Sequence, residues 1–258
     1  MSDPTGRHHD ETTAGAPAGD EHAPLPTDVG ERPLAEIPRP FTREAMDFME
    51  QQVKDAILRM GSMVSERILG AIDALEQHDA EGALRIITTD DQLNEEQERI
   101  SGLVVETIAR EQPVARDLRF LMALDHVAYD LERMGDHASS VAKQARKLAP
   151  HAPLQEHVRL PELGRLVAQQ VRDILTAVVD VDEQRAREIA AGDDAVDELY
   201  HTIFAETLEL MRADPANVDP GARILFAAHY LERCGDRVTN IAEDIVFLAT
   251  GEVEDLNP

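Results

Sequence analysis

Two short acidic stretches, one hundred residues apart, carry side chains that could bind a cation. They read LERMGDH at 131–137 and LERCGDR at 231–237. In each stretch a Glu and an Asp are four residues apart, so both carboxylates lie on one face of a helix. The two pairs are Glu132 with Asp136 and Glu232 with Asp236. Like charges at this spacing destabilise a helix by about 0.2–0.5 kcal/mol unless something neutralises them. A divalent cation is one candidate, because carboxylates are good ligands for hard or borderline ions.

A second set of acidic residues precedes each of these stretches. The block TDDQLNEE at 89–96 matches GDDAVDEL at 192–199. Both blocks contain an i, i+4 pair, namely Asp90 with Asn94 and Asp193 with Asp197. In an antiparallel three-helix unit the second and third helices are neighbours, so these faces can meet in a cluster of four oxygen-bearing side chains. His229 precedes Glu232 by three residues on the same face and could add a nitrogen ligand.

Each acidic pair could also exist without a bound cation. Arg133 and Arg233 follow the two glutamates but project about 100° away around a helix. In a chain with 51 acidic residues, such a pair taken alone is also typical of a solvated helix face.

Gly135 and Gly235 indicate either close approach of a second helix or room beside the carboxylates. Close approach is favoured, because a glycine inside a helix costs about 1 kcal/mol relative to alanine.

Helices must position these residues. Apolar side chains recur in 114–149 at spacings of three, four or seven, which is typical of a helix, and no period-two alternation indicates a strand. Asp79, Asp182 and Asp219 are candidate N-caps. Together with the long proline-free windows, these signals predict six helices, at about 42–77, 80–110, 114–148, 158–180, 183–212 and 220–249.

The chain contains an internal duplication. Aligning 131–148 with 231–248 gives 7 identical positions out of 18. We therefore predict an all-α fold of two tandem three-helix bundles, at 41–149 and 157–250, with a linker rich in proline between them. Residues 1–40 hold seven of the fourteen prolines and few apolar side chains. This segment is predicted to be a disordered acidic tail, because it cannot bury enough surface to offset its ordering entropy.

Composition excludes several classes of function. A formal net charge of −26 disfavours nucleic-acid binding. No run of eighteen or more apolar residues predicts a membrane span, and the N-terminus lacks the pattern of a signal peptide, so a cytoplasmic protein without direct membrane insertion is expected. The single cysteine, Cys234, cannot form an intramolecular disulfide and is expected to be buried. No phosphate loop, nucleophile elbow or dinucleotide fingerprint is present, and an enzyme is not predicted.

Taken together, these motifs resemble the PhoU family, over about 42–250 of the chain. The resemblance rests on MGSMVSERILGAIDAL (60–75), TDDQLNEEQERI (89–100), RDLRFLMAL (116–124) and the two Glu-Arg-x-Gly-Asp stretches. It implies tandem three-helix bundles with a Glu/Asp-x-x-x-Asp motif that binds multinuclear metal clusters at the bundle surface. By similarity, the candidate metal ligands are Asp90, Asn94, Glu132, Asp136, Asp193, Asp197, Glu232 and Asp236. Asn94 departs from the acidic pattern, which implies weaker binding or fewer ions in the first half. Iron, manganese, magnesium and zinc all suit such oxygen-rich sites.

The resemblance also implies a regulatory role. The expected function is that of an adaptor between the ATPase subunit of the phosphate ABC transporter and a phosphate-sensing histidine kinase. Such an adaptor represses the phosphate-starvation response and restrains phosphate uptake, and the family implies a homodimer. One alternative is a helical-bundle metal-storage protein or carboxylate-metal enzyme, although such enzymes usually carry Glu-x-x-His pairs that are absent from both acidic stretches. Another is a helical scaffold without metal.

Overall fold

The computed structural model describes residues 43–89, 91–154 and 159–256, and the regular elements in these ranges are helical, without strands. The predicted tail at 1–40 lies outside the described residues, as does Asp90. The helices are α1 (Arg43–Glu76), α2 (Ala80–Thr88), α3 (Asp91–Glu111), α4 (Arg116–Leu148), α5 (Arg159–Asp180), α6 (Glu183–Ala190), α7 (Asp193–Ala213) and α8 (Val218–Thr250). The predicted all-α fold is confirmed.

Two of the six predicted helices are each divided into a short and a long segment. The predicted helix 80–110 is α2 followed by α3, and 183–212 is α6 followed by α7. In the second half the division falls at Gly192, whose N–H bonds to the carbonyl of Ile189 three residues back. This tighter turn ends α6 and makes Asp193 the first residue of α7. Sequence periodicity continues across such a break, so it did not reveal the division.

The first hairpin of each half is built in the same way. His78 and Val181, 103 residues apart, both have a φ of 52°, in the left-handed region that non-glycine residues rarely adopt. The next residue in each half is an aspartate N-cap: Asp79 accepts from the Gly82 N–H at 2.8 Å and Asp182 from the Arg185 N–H at 3.0 Å. These caps satisfy helix N–H groups that would otherwise lack a partner.

The prediction of a third N-cap at Asp219 is wrong. A 3₁₀ turn at Pro215–Asn217 leads directly into α8, which begins at Val218, so Asp219 lies in its first turn. The capping aspartate is Asp214, whose carboxylate accepts from the Ala216 N–H at 2.9 Å at the start of the 3₁₀ turn.

Equivalent helices of the two halves pack against each other, α1 on α5 and α4 on α8. The α1–α5 contact is reciprocal: a Cβ on Gly61 would overlap Leu175, and a Cβ on Gly164 would overlap Ile72. Both glycines and both apolar residues are related by the same 103-residue offset. The two halves therefore share one continuous apolar core, and the described helices form one compact unit.

The crossing of α4 and α8 is reciprocal as well. Asp130 pairs with Arg237 at 3.0 Å, and their counterparts one hundred residues along, Tyr230 and His137, stack with ring centroids 6.0 Å apart. Cys234 is fully buried at this crossing, as predicted. Among the described helices, none combines the length and apolar composition needed to cross a bilayer.

Candidate functional site

The second half brings the predicted acidic residues of two helices together. Asp193 and Asp197 lie on the first turns of α7, and Glu232 and Asp236 lie on α8, which packs beside it. Burial, together with the negative charges of Asp197, Asp236 and Glu232, raises the pKa of Asp193 to about 7. We call these four residues the second-half acidic cluster. Each side chain in it is buried or half-buried.

Burial dominates the electrostatics of this cluster. Asp193 is the first residue of α7, where the helix dipole favours a carboxylate. Its side chain is only 4% exposed, however, and the lost solvation together with the neighbouring carboxylates outweighs the dipole. Burial, followed by the charge of Asp236, also raises the pKa of Glu232 to about 6, and burial raises that of Asp236. Such a cluster favours either bound protons or a bound cation.

Glycine at position 235 lets α7 approach α8 closely. A Cβ there would lie 2.7 Å from Asp193 Oδ1 and 3.2 Å from Val196 Cγ1. The equivalent Gly135 of α4 faces Leu93 of α3, which a Cβ would overlap. Close helix approach, the favoured interpretation of both glycines, is confirmed.

The arginines of the two motifs lie closer to the carboxylates than expected. Arg233 Nη1 is 2.6 Å from Asp236 Oδ2, and Arg133 Nη1 is 3.1 Å from Asp136 Oδ2. The prediction that they project away is wrong, because the long side chain bends back toward the residue three positions on. Arg133 also lies over the ring of Tyr129, 5.0 Å from its centroid. His229 lies where predicted, with Nδ1 3.3 Å from Glu232 Oε2.

The first half has a different arrangement. Glu132 is buried, with 9% of its surface exposed, Asp136 is half-buried, and Asn94 is exposed. Asp90 is the remaining member of the predicted set, and its position is not among the described residues. Of the predicted first-half ligands, the structure thus places Glu132 and Asp136 on one edge of α4, with Asn94 on the surface of α3.

A buried arginine beside Gly135, the glycine of the first-half acidic stretch, was missed from the sequence. Arg67 of α1 has its Nη1 3.7 Å from the position that a Cβ on Gly135 would take. Its Nη2 donates to the carbonyl of Ile86 at 3.2 Å and to Thr89 Oγ1 at 3.3 Å. In the second half the equivalent place holds Gln170, whose Oε1 is 3.8 Å from the corresponding point on Gly235. Extending the 103-residue offset upstream into α1 would have aligned Arg67 with Gln170.

The donor set of the second half fits a hard or borderline cation. It supplies carboxylate oxygens, together with the amide oxygen of Gln170, which has no hydrogen-bond partner within the described ranges. In the described part of the chain, no three His, Cys, Asp or Glu side chains already converge on one point as ligands. A cation would therefore have to draw these side chains together, Asp236 moving away from Arg233.

Comparison with known proteins places this chain in a family. A family model described as "PhoU domain" matches the chain twice, at residues 57–145 and 160–245. A Clostridium acetobutylicum protein named phosphate-specific transport system accessory protein PhoU homolog is 37% identical over 218 residues, covering 84% of this chain and 100% of the relative. A Streptococcus pneumoniae protein of the same name is 32% identical over 215 residues, covering 83% of this chain and 100% of the relative.

Solved structures agree with these sequence matches. The crystal structure of PhoU from Pseudomonas aeruginosa superimposes with a TM-score of 0.76 at 32% identity, covering 80% of this chain and 99% of that chain. The phosphate transport system regulatory protein PhoU from Streptococcus pneumoniae gives a TM-score of 0.74 at 32% identity, covering 81% and 99%.

Proposed function

Because the chain belongs to the PhoU family, we propose that it is an accessory regulator of phosphate transport. The observation that carries the proposal is sequence identity with relatives of that name over more than four fifths of this chain and their full length. The relatives are named accessory proteins, which supports a role without a catalytic step.

In detail, the proposal is a cytoplasmic adaptor that links the ATPase subunit of the phosphate ABC transporter to a phosphate-sensing histidine kinase. It represses the phosphate-starvation response and restrains uptake when phosphate is plentiful. Long helices offer extended surfaces for partner segments, and a formal net charge of −26 suits basic patches on those partners. Charge complementarity of this kind mainly speeds encounter and sets orientation. The proposal includes a homodimer, which light scattering of the purified protein tests.

Alkaline phosphatase activity at high phosphate tests the regulatory role. We expect high activity in a strain that lacks this gene and low activity once the intact gene is restored. Unchanged low activity in the deletion strain contradicts the role. Co-purification with the transporter ATPase and with the kinase then tests the adaptor itself, and capture of neither partner rejects it.

We also propose that the second-half acidic cluster binds a divalent or multinuclear metal, with iron, manganese, magnesium and zinc as candidates. The residues that would hold it are Asp193, Asp197, Glu232 and Asp236. Support comes from the burial of these carboxylates and their mutual repulsion, which together raise the pKa values of Asp193, Glu232 and Asp236. A bound cation would neutralise the cluster and fasten α7 to α8.

Replacing Glu232 and Asp236 by alanine tests the metal proposal. The double variant should lose most of its bound metal, measured by elemental analysis, while helix content and Tm stay close to those of the wild type. The matched control is Glu66→Ala with Asp73→Ala, which removes the same charge from two exposed positions on α1. Equal metal content in both variants rejects the site, and failure of the first to fold makes its carboxylates structural.

A further inference from the structure

Arg67 and Gln170 occupy equivalent places in the two halves. They are 103 residues apart, the offset that also relates His78 to Val181 at the ends of α1 and α5. Each side chain points at the glycine of the acidic stretch in its own half: Arg67 Nη1 is 3.7 Å from the Cβ position on Gly135, and Gln170 Oε1 is 3.8 Å from that on Gly235. The same point beside the carboxylates is thus approached by a cation in one half and by an amide oxygen in the other.

In the first half the guanidinium supplies a fixed positive charge. Arg67 is 9% exposed, and an arginine remains protonated even when it is buried. The carbonyl of Ile86 and the hydroxyl of Thr89, at the end of α2, hold it in place beside α4. Because Gly135 adjoins Asp136 in the chain and follows Glu132 by three residues, a guanidinium there would repel a second cation that approaches these carboxylates.

In the second half the same place holds an uncharged amide. Gln170 is 7% exposed, and its Oε1 lacks a hydrogen-bond partner among the described residues. Asp193 Oδ1 lies 2.7 Å from the Cβ position on Gly235, so both oxygens lie beside the same glycine where α7 packs closely on α8. A buried amide oxygen without a donor is costly, and an oxygen-binding cation would satisfy it.

The formal charges of the two halves also favour cation binding in the second half. The four aligned positions of the first half hold three acids and Asn94, and Arg67 adds one positive charge. The four positions of the second half hold four acids, and Gln170 is neutral.

From these observations we propose that the two halves differ in their affinity for cations: Arg67 takes the place of a metal in the first half, and Gln170 serves as a further metal ligand in the second. This inference rests on the metal binding proposed above. It predicts one strong cation site per chain. It assigns the difference in cation affinity between the two halves to a single pair of equivalent residues.

A reciprocal exchange in the full-length protein tests the inference, with Mn²⁺ as the probe. Calorimetry and elemental analysis give the affinity and the number of ions bound per chain, and circular dichroism confirms folding.

The wild type should bind one ion strongly. The variant Glu232→Ala with Asp236→Ala should lose this site, and the variant Glu132→Ala with Asp136→Ala should keep it. Arg67→Gln should add a second, weaker site, strengthened by Asn94→Asp. Gln170→Arg should weaken the strong site at least tenfold.

Gln170→Met is the variant to use if Gln170→Arg fails to fold, because it removes the amide oxygen without burying a charge. It should weaken Mn²⁺ binding at the strong site severalfold. The second, weaker site that Arg67→Gln adds should be unchanged.

The outcomes separate the two proposals. If the wild type binds no Mn²⁺, this inference is rejected, and the metal proposal is rejected as well if iron, magnesium and zinc do not bind either. If the wild type binds two ions with equal affinity, one lost with each acidic pair, the metal proposal stands and the asymmetry is rejected. The asymmetry is also rejected if Arg67→Gln adds no binding while the strong site is present.

Discussion

Met134 and Cys234 meet where α4 crosses α8, with the Cys234 thiol donating to the Met134 carbonyl at 3.7 Å. They are one hundred residues apart and occupy equivalent positions in the duplicated stretches. Equivalent residues can touch only near the axis that relates two repeats, so this contact locates the pseudo-two-fold axis of the molecule. The reciprocal pairs on either side, Asp130 with Arg237 and Tyr230 with His137, follow from the same symmetry.

The first prediction concerns the reactivity of Cys234. The side chain is fully buried, and burial raises the pKa of the thiol above its usual range. Because the thiolate is the reactive form, we expect very slow reaction with a thiol-specific reagent in native buffer and complete reaction of one thiol per chain in denaturant. Absorbance of the released chromophore gives both rates. Rapid stoichiometric labelling of the folded protein contradicts the placement of this residue.

The second prediction separates a glycine that is required by packing from one that is not. Gly61→Ala places a Cβ against Leu175, including its branch point, and should destabilise the protein by about 1–3 kcal/mol, as overpacking does. Gly102→Ala, at an exposed position of α3, meets no atom within 4 Å and should stabilise the protein by up to about 1 kcal/mol. Urea unfolding measures both. A Gly61→Ala variant that is as stable as the wild type or more stable contradicts the α1–α5 contact.

The third prediction tests the buried ion pair between the halves. Arg237→Leu leaves Asp130 buried without its partner and should cost about 3 kcal/mol of unfolding free energy. Adding Asp130→Asn should restore part of that loss, because the uncompensated charge is then gone. The double-mutant cycle measures the interaction energy between the two side chains directly. Strictly additive losses show that the two side chains act independently.

The fourth prediction concerns pH and Asp244, whose carboxylate pairs with His126 of α4 and is repelled by the carboxylates of Asp130 and Glu243. Burial raises the pKa of Asp244 to about 6, despite the opposing effect of His126 at 3.5 Å. The folded state therefore binds more protons than the unfolded state between about pH 4 and pH 6, and this contribution to stability is lost as pH rises through that window.

Asp244→Asn tests this effect, with Asp73→Asn at an exposed position of α1 as the control. The loss of stability between pH 4.5 and pH 7 should be smaller in Asp244→Asn, by on the order of 2 kcal/mol, and unchanged in the control. Melting temperatures across the range give the comparison. Identical pH profiles for Asp244→Asn and the wild type contradict the prediction.

Local sequence signals were sufficient for the helical stretches and the repeat, although not for the breaks that divide two of those stretches. Apolar spacing and proline-free windows gave six helical stretches, and the matching of 131–148 with 231–248 gave the duplication. The i, i+4 spacing also placed Glu232 and Asp236 correctly on one face of α8. These features depend only on neighbours along one helix, so they can be derived from one sequence.

Contacts between helices were harder to derive. The turn at Gly192 interrupts a continuous apolar pattern, because a 3₁₀ bond changes the direction of the chain without changing its composition. Arg67 lies on α1, remote in sequence from Gly135, and its role depends on how α1, α2 and α4 pack. The bend of Arg233 toward Asp236 depends on rotamers, which spacing alone does not determine.

The reciprocal contacts between α1 and α5 also have a consequence for the history of this fold. A chain of half the length would leave these same faces uncovered, and two copies would cover them by pairing about a two-fold axis. In such a pair of identical chains every substitution occurs twice. An arginine beside the acidic cluster of one copy is therefore also present beside the acidic cluster of the other copy. Joining the copies into one polypeptide removes that constraint. Position 67 can then carry a guanidinium while position 170 carries an amide, and the two halves of a symmetric fold come to differ.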